Sequence, residues 1–239
     1  MQMGGYSNLL TSNAIFYTWR QLLQRCGLKD FPLAGNNYNS HGICFKYGSK
    51  VGDEDLLRYK IIVMPCNTGN WTQRPANSKI KFIPKDDCVP SGINLPFDEP
   101  IPVLFWGSGY EDGHKPFAEK TDDKTIVFYA DIIAAVFFML SRLEEVDGQE
   151  GLDEHKRFPA KQSFAYKQGF LDRPIVDQYA LILQAWIKLF LPDWEPTQSQ
   201  FAIRLTHDID IIKRFENLAD RGRALLGDII KRQNINLFN

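Results

Sequence analysis

The chain has 239 residues, 44% hydrophobic and 24% charged, an ordinary globular balance with enough apolar material to bury a core. Its formal net charge is −1 and its pI about 6.4, so no basic field exists to hold a phosphate backbone, and nucleic acid is excluded as an expected partner. The longest apolar run, residues 132–140, is far short of the roughly 20 residues a membrane helix needs, and no basic segment leads into an apolar one at the start; no membrane span and a cytoplasmic location are expected.

Residues 8–26 form the first expected helix. Ser12 or Asn13 is placed to cap it, Ile15, Phe16, Trp19, Leu22 and Leu23 recur at helical spacing, and Gly27 stops it. Residues 30–40, rich in Asn, Gly and Pro, read as loop. Short apolar runs bounded by turn residues predict strands at 42–47, 59–65, 80–83 and 101–106. The connections 67–78 and 85–100 are long and polar. Trp106-Gly107-Ser108-Gly109-Tyr110 lacks the G-x-G-x-x-G spacing and has no helix pattern behind it, so it reads as a turn rather than a phosphate loop.

Residues 125–130 predict another strand. Asp131 then caps a helix running from Ile132 to about Val146, apolar nearly all round and therefore central and buried. Residues 148–168 form a charged loop. A second strong helix spans 175–191, with Pro174 at its start, Pro192 past its end, and Val176, Tyr179, Leu183, Trp186 and Phe190 on one face. Residues 193–200, with Pro196, read as a linker. A short strand at 201–205 follows, then a long amphipathic helix marked by Ile211, Ile212, Phe215, Leu218, Leu225, Leu226, Ile229 and Ile230. Strands alternating with helices predict an α/β fold with a mixed sheet and a central buried helix. The composition break divides the chain into a domain at 1–196 and the start of a second at 197–239. Cys26, Cys44, Cys66 and Cys88 form no C-x-x-C pair, and reduced buried thiols are expected.

Two clusters have the composition of chemical sites. In Leu205-Thr206-His207-Asp208-Ile209-Asp210 two carboxylates stand two positions apart, just behind an apolar run. If both are extended they face the same way, and one can bind a divalent metal while the other takes a proton from water. Equally, Asp210 can serve as the N-cap of the helix behind it, with Asp208 completing the turn. His207 would point to the opposite face and reads as a packed imidazole. His41, His114 and His155 are dispersed, and no pair has i, i+4 spacing. The second cluster runs from Ser141-Arg142-Leu143-Glu144-Glu145 to Asp153-Glu154-His155-Lys156-Arg157-Phe158. It offers either an anion or sugar pocket built on Arg142 and Arg157 or a salt-bridge network, including Glu144 and Glu145, at the end of the buried helix.

Thr206-His207-Asp208-Ile209-Asp210 resembles the first motif of the polysaccharide deacetylase (NodB-like) family, in its Thr/Ser-His-Asp-x-Asp version. The upstream chain resembles an uncharacterised domain that precedes such deacetylase domains in many bacterial proteins. Its matching stretches are residues 102–107, residues 131–145 with Ser141-Arg142-Leu143-Glu144-Glu145, residues 157–167, and residues 169–177. The resemblance implies a metal-dependent hydrolase that removes N-acetyl groups from amino sugars of a polysaccharide, on a (β/α) barrel of which 197–239 would be the first strand and helix. Asp208 would be the general base and Asp210 a metal ligand, with zinc as the implied metal. The family's downstream H-x-x-x-H ligands are not in this sequence, so this chain is expected neither to bind the metal tightly nor to be active alone. The competing expectation is a non-enzymatic α/β module that binds a partner protein or a glycan, with Asp208 and Asp210 as a helix cap.

Overall fold

The computed structural model describes residues 4–28, 33–34, 37–40, 42–48, 52–67, 71, 75, 80–110, 113–147, 151–197, 202–206 and 218–232. The chain divides into two compact units, Met1–Ser199 and Gln200–Asn239.

The first unit is α/β. It is built on a six-stranded mixed sheet in the order β1-β2-β3-β4-β8-β7. Strands β1 (Leu33–Ala34) and β2 (Asn37–Ser40) form an antiparallel edge against β3 (Ile43–Tyr47). The centre is parallel: β3, β4 (Lys60–Met64) and β8 (Thr125–Phe128). Strand β7 (Ala118–Lys120) closes the other edge antiparallel to β8. Every residue of β3 is buried, as expected for a strand covered on both faces. The register places Ile43, Phe45, Ile62, Met64, Ile126 and Phe128 on one face. That face carries the core. On the opposite face Lys46 forms an ion pair with Asp55 of α2 (Asp53–Arg58), the short crossover between β3 and β4. Two further strands, β5 (Lys81–Ile83) and β6 (Ile101–Val103), make a separate antiparallel pair.

Three helices form the main layer: α1 (Gly4–Arg25), α3 (Ile132–Ser141) and α6 (Ile175–Phe190). Helix α1 packs against α3 and α6. Trp19 of α1 meets Phe45 edge-on at 5.6 Å, and Trp186 of α6 meets Phe128 at 6.2 Å, so both helices lie on the core face of the sheet. Helix α1 ends in a Schellman turn: Leu28 N donates to Leu23 O (3.0 Å) and Gly27 N to Gln24 O (3.1 Å), with Gly27 at φ +84°. A Cβ on Gly27 would also stand 2.7 Å from Pro196 Cβ, where Thr197 N donates to Gly27 O. Glycine is thus required twice, by the turn and by the close passage of the 193–197 segment. Helices α4 (Leu143–Asp147) and α5 (Phe164–Lys167) are short. The four cysteines are free thiols, three of them buried.

Several expectations change. Helix α1 starts at Gly4, so Ser12 and Asn13 lie exposed inside it rather than at its cap. The expected loop 30–40 contains β1 and β2; the polar Asn37–Ser40 is held as a strand by its backbone ladder to β3. The helix expected to run to Val146 breaks at Arg142, whose left-handed backbone (φ 56°) ends α3 and starts α4 in a new direction. Gly107 begins a turn, with Tyr110 N donating to Gly107 O at 3.0 Å. A Cβ there would meet Pro65 O at 2.6 Å, so this glycine lets two backbone segments touch.

In the second unit α7 (Leu218–Arg232) forms as an amphipathic helix. The strand expected at 201–205 is not found among the described residues; 202–206 are exposed and carry no ladder. A strand needs a neighbour for its backbone groups, and the described part of this unit has none. No barrel is present in the described residues. Leu218, Leu225 and Leu226 are exposed. Among the described residues no helix is long and apolar enough to cross a membrane.

Candidate functional site

The structure gathers part of the 141–158 cluster around one cleft. The left-handed Arg142 turns its guanidinium back over α4, where Nε donates to Glu145 Oε1 at 2.6 Å and Nη2 donates to Oε2. Opposite it, Asp153 organises the loop. Its Oδ1 accepts from the backbone N–H groups of His155 and Arg157, both at 2.9 Å, and its Oδ2 accepts from Arg157 Nε at 2.9 Å. Lys156 N donates to Asp153 O at 2.9 Å, which closes a tight turn and leaves Lys156 left-handed at φ 59°. Arg142, Glu145, Leu152, Lys156, Arg157 and Phe158 line the resulting cleft of about 580 Å³.

The ion pairs here are positional rather than stabilising. The Arg142 and Arg157 side chains are 77% and 70% exposed, and solvent screening leaves exposed pairs with little net effect on stability. Both carboxyls are held below the usual range: Asp153 first by the Arg157 backbone N–H, Glu145 first by its hydrogen bond from Arg142. They are therefore ionised at neutral pH and fix the two guanidiniums. Among the described residues each guanidinium has N–H groups left over: Arg142 uses Nε and Nη2 and Arg157 uses Nε, out of five donors each. Lys156 is exposed and has no ion pair among the described residues.

Arg142, Glu145 and Arg157 line the same cleft. Glu144 does not join them. Its Oε2 accepts from Phe164 N at 2.6 Å, at the start of α5, where Ser163 Oγ accepts from Tyr166 N as cap. Glu144 thus anchors a helix start and has no place in the cleft. Lys156 does not stand out in the charged run. Its significance lies in a positive φ that no residue pattern announces.

His207, Asp208 and Asp210 lie outside the described residues. His114 and His155 are exposed, and His155 lies 3.3 Å from Glu154. No group of three or more His, Cys, Asp or Glu that could hold a metal occurs among the described residues. A zinc site takes about three protein ligands, and the described residues bring no such set together.

A third constellation sits at the carboxyl ends of the parallel strands, where α/β proteins commonly place their sites. Tyr47 ends β3, Cys66 follows β4, and Asp131 follows β8. Tyr47 Oη donates to the Asp131 carboxylate (3.0 and 3.1 Å) and accepts from Trp71 Nε1 (2.9 Å). Asp131 Oδ1 accepts from Ala134 N at 3.0 Å and so caps α3. Burial, then the neighbouring Asp131 charge, pushes the Tyr47 phenol well up; burial also raises the Cys66 thiol. Both stay protonated at neutral pH, so neither is an activated nucleophile. Tyr47, Trp71 and Asp131 are buried. The constellation is a structural network that ties three strand ends to the central helix.

Together these features define an α/β domain with a mixed six-stranded sheet and a cationic surface cleft. The chain belongs to a family of unknown function, DUF7033, whose model matches residues 6–192. No curated protein and no solved structure matches the chain.

Proposed function

We propose that this chain is the N-terminal portion of a metal-dependent polysaccharide deacetylase-like hydrolase, a protein that removes N-acetyl groups from amino sugars. The first unit is its accessory domain. The observation that carries this reading is the division of the chain between Ser199 and Gln200, directly ahead of Thr206-His207-Asp208-Ile209-Asp210 and behind the end of the family match at residue 192. The acid motif therefore belongs to a unit that starts afresh. The exposed Leu218, Leu225 and Leu226 of α7 also favour it, because an apolar helix face needs further structure to cover it.

In this reading Asp208 is the general base and Asp210 one metal ligand, with zinc as the metal and an amino-sugar polymer as substrate. The H-x-x-x-H ligands that the resemblance implies are not in this sequence, so the 239 residues are expected to be inactive alone. A zinc titration tests the assignment. The protein translated from the complete reading frame binds one zinc ion per chain and loses it on Asp210→Ala, whereas the 239-residue chain binds none tightly. A complete protein that binds no zinc would leave the two acids as a helix cap and the chain as a non-enzymatic module.

A further inference from the structure

We propose that the cleft between the end of α3 and the 151–158 loop is a binding site for an acidic saccharide, gripped by Arg142, Lys156 and Arg157. The site lies in the first unit and stands whether or not the complete protein hydrolyses an amide.

The charge argument comes first. Three cations and one carboxylate line the cleft. Glu145 and Asp153 orient the guanidiniums without exhausting them, leaving forked N–H groups for a carboxylate or phosphate on a ligand. The Lys156 ammonium, which has no ion pair among the described residues, adds a point charge. The backbone argument is independent. Among the described residues only Arg142 and Lys156 are non-glycine residues with positive φ, and both line this one cleft. Glycine would adopt either conformation without strain, yet each position holds a long cation. Strain kept at two positions of one concavity is the pattern of a site that needs those side chains. Shape and surface complete the case. Leu152 and Phe158 give the cleft an apolar wall against which the C–H face of a sugar ring can lie. Its volume of about 580 Å³ falls within the roughly 300–1,000 Å³ of small-molecule sites.

The experiment uses the 239-residue chain, with trigalacturonate, glucose 6-phosphate, inorganic phosphate and neutral maltotriose as probes. Calorimetry measures affinity, and NMR follows the Arg Nε–H and the Lys156 amide signals. A sugar anion is expected to bind and to shift those signals, more weakly as ionic strength rises; which of the two binds better assigns carboxylate or phosphate as the recognised group. Lys156→Gly relieves the strained backbone while removing the charge. It should raise Tm and weaken sugar-anion binding about tenfold, the scale of one lost charge-assisted hydrogen bond. Lys156→Gln should weaken binding equally. The proposal is overturned if neither sugar anion binds, if maltotriose or inorganic phosphate binds as tightly as the sugar anions, or if Lys156→Gly binds them unchanged.

Discussion

The buried network at the strand ends makes a quantitative prediction. Tyr47→Phe removes the hydroxyl that donates to Asp131 and accepts from Trp71 Nε1, leaving a buried indole N–H unpaired and a buried carboxylate short of one donor. Each unmet group costs about 1–3 kcal/mol, so the single substitution should destabilise by roughly 2–6 kcal/mol. Asp131→Asn keeps an acceptor for Ala134 N but loses the charge that both Tyr47 and the α3 N-terminus favour, about 1–2 kcal/mol. Because the two residues share one interaction, the double variant should be less destabilised than the sum by about 1 kcal/mol or more. Urea unfolding followed by tryptophan fluorescence suits this cycle, since all five tryptophans lie in the first unit and report it alone. Additivity within about 0.3 kcal/mol would refute the network as a coupled unit.

Other expectations follow from the same structure. Burial pushes the Cys26 thiol far up and the Cys88 thiol up to about 12, against roughly 8.5 in an unfolded chain. The folded state keeps these protons while the unfolded state releases them. The stability they contribute is therefore complete below about pH 8.5 and lost as pH rises, about 1–2 kcal/mol per thiol by pH 10. A urea midpoint unchanged between pH 8 and 10 would contradict that burial. At the end of α3, Arg142→Gly suits the left-handed backbone whereas Arg142→Ala retains its strain, and both lose the exposed Glu145 pair. The glycine variant should be the more stable by about 1 kcal/mol, and thermal melts in the opposite order would contradict the left-handed cap.

Strands β3, β4 and β8 and helix α6 are legible in the sequence because each is a dense apolar run closed by turn residues, and burial on the core face demands that composition. The edge strand β2 is not, because Asn37–Ser40 is polar and becomes a strand only through its ladder to β3. The break in the central helix is hidden for a related reason: Arg142 is an ordinary helix former, and its positive φ depends on what packs around it. At the cleft, Arg142, Glu145 and Arg157 stand out by charge. The turn that brings residue 157 back toward 142 depends on Asp153, whose side chain binds two backbone N–H groups, and nothing in the run distinguishes it from its acidic neighbours. Glu144 and Glu145 are adjacent in sequence yet serve different structures, because side chains one residue apart on a helix diverge.

The proposed function makes Asp208 and Asp210 part of an amino-sugar deacetylase. Metal-dependent release of acetate from an N-acetylated glucosamine oligomer, measured on the protein translated from the complete reading frame, tests it directly. Zinc-dependent acetate release is expected, falling at least about a hundredfold on Asp208→Asn, the loss expected for a general base, with none from the 239-residue chain. Release that is indifferent to Asp208→Asn, or present in the 239-residue chain alone, would contradict it.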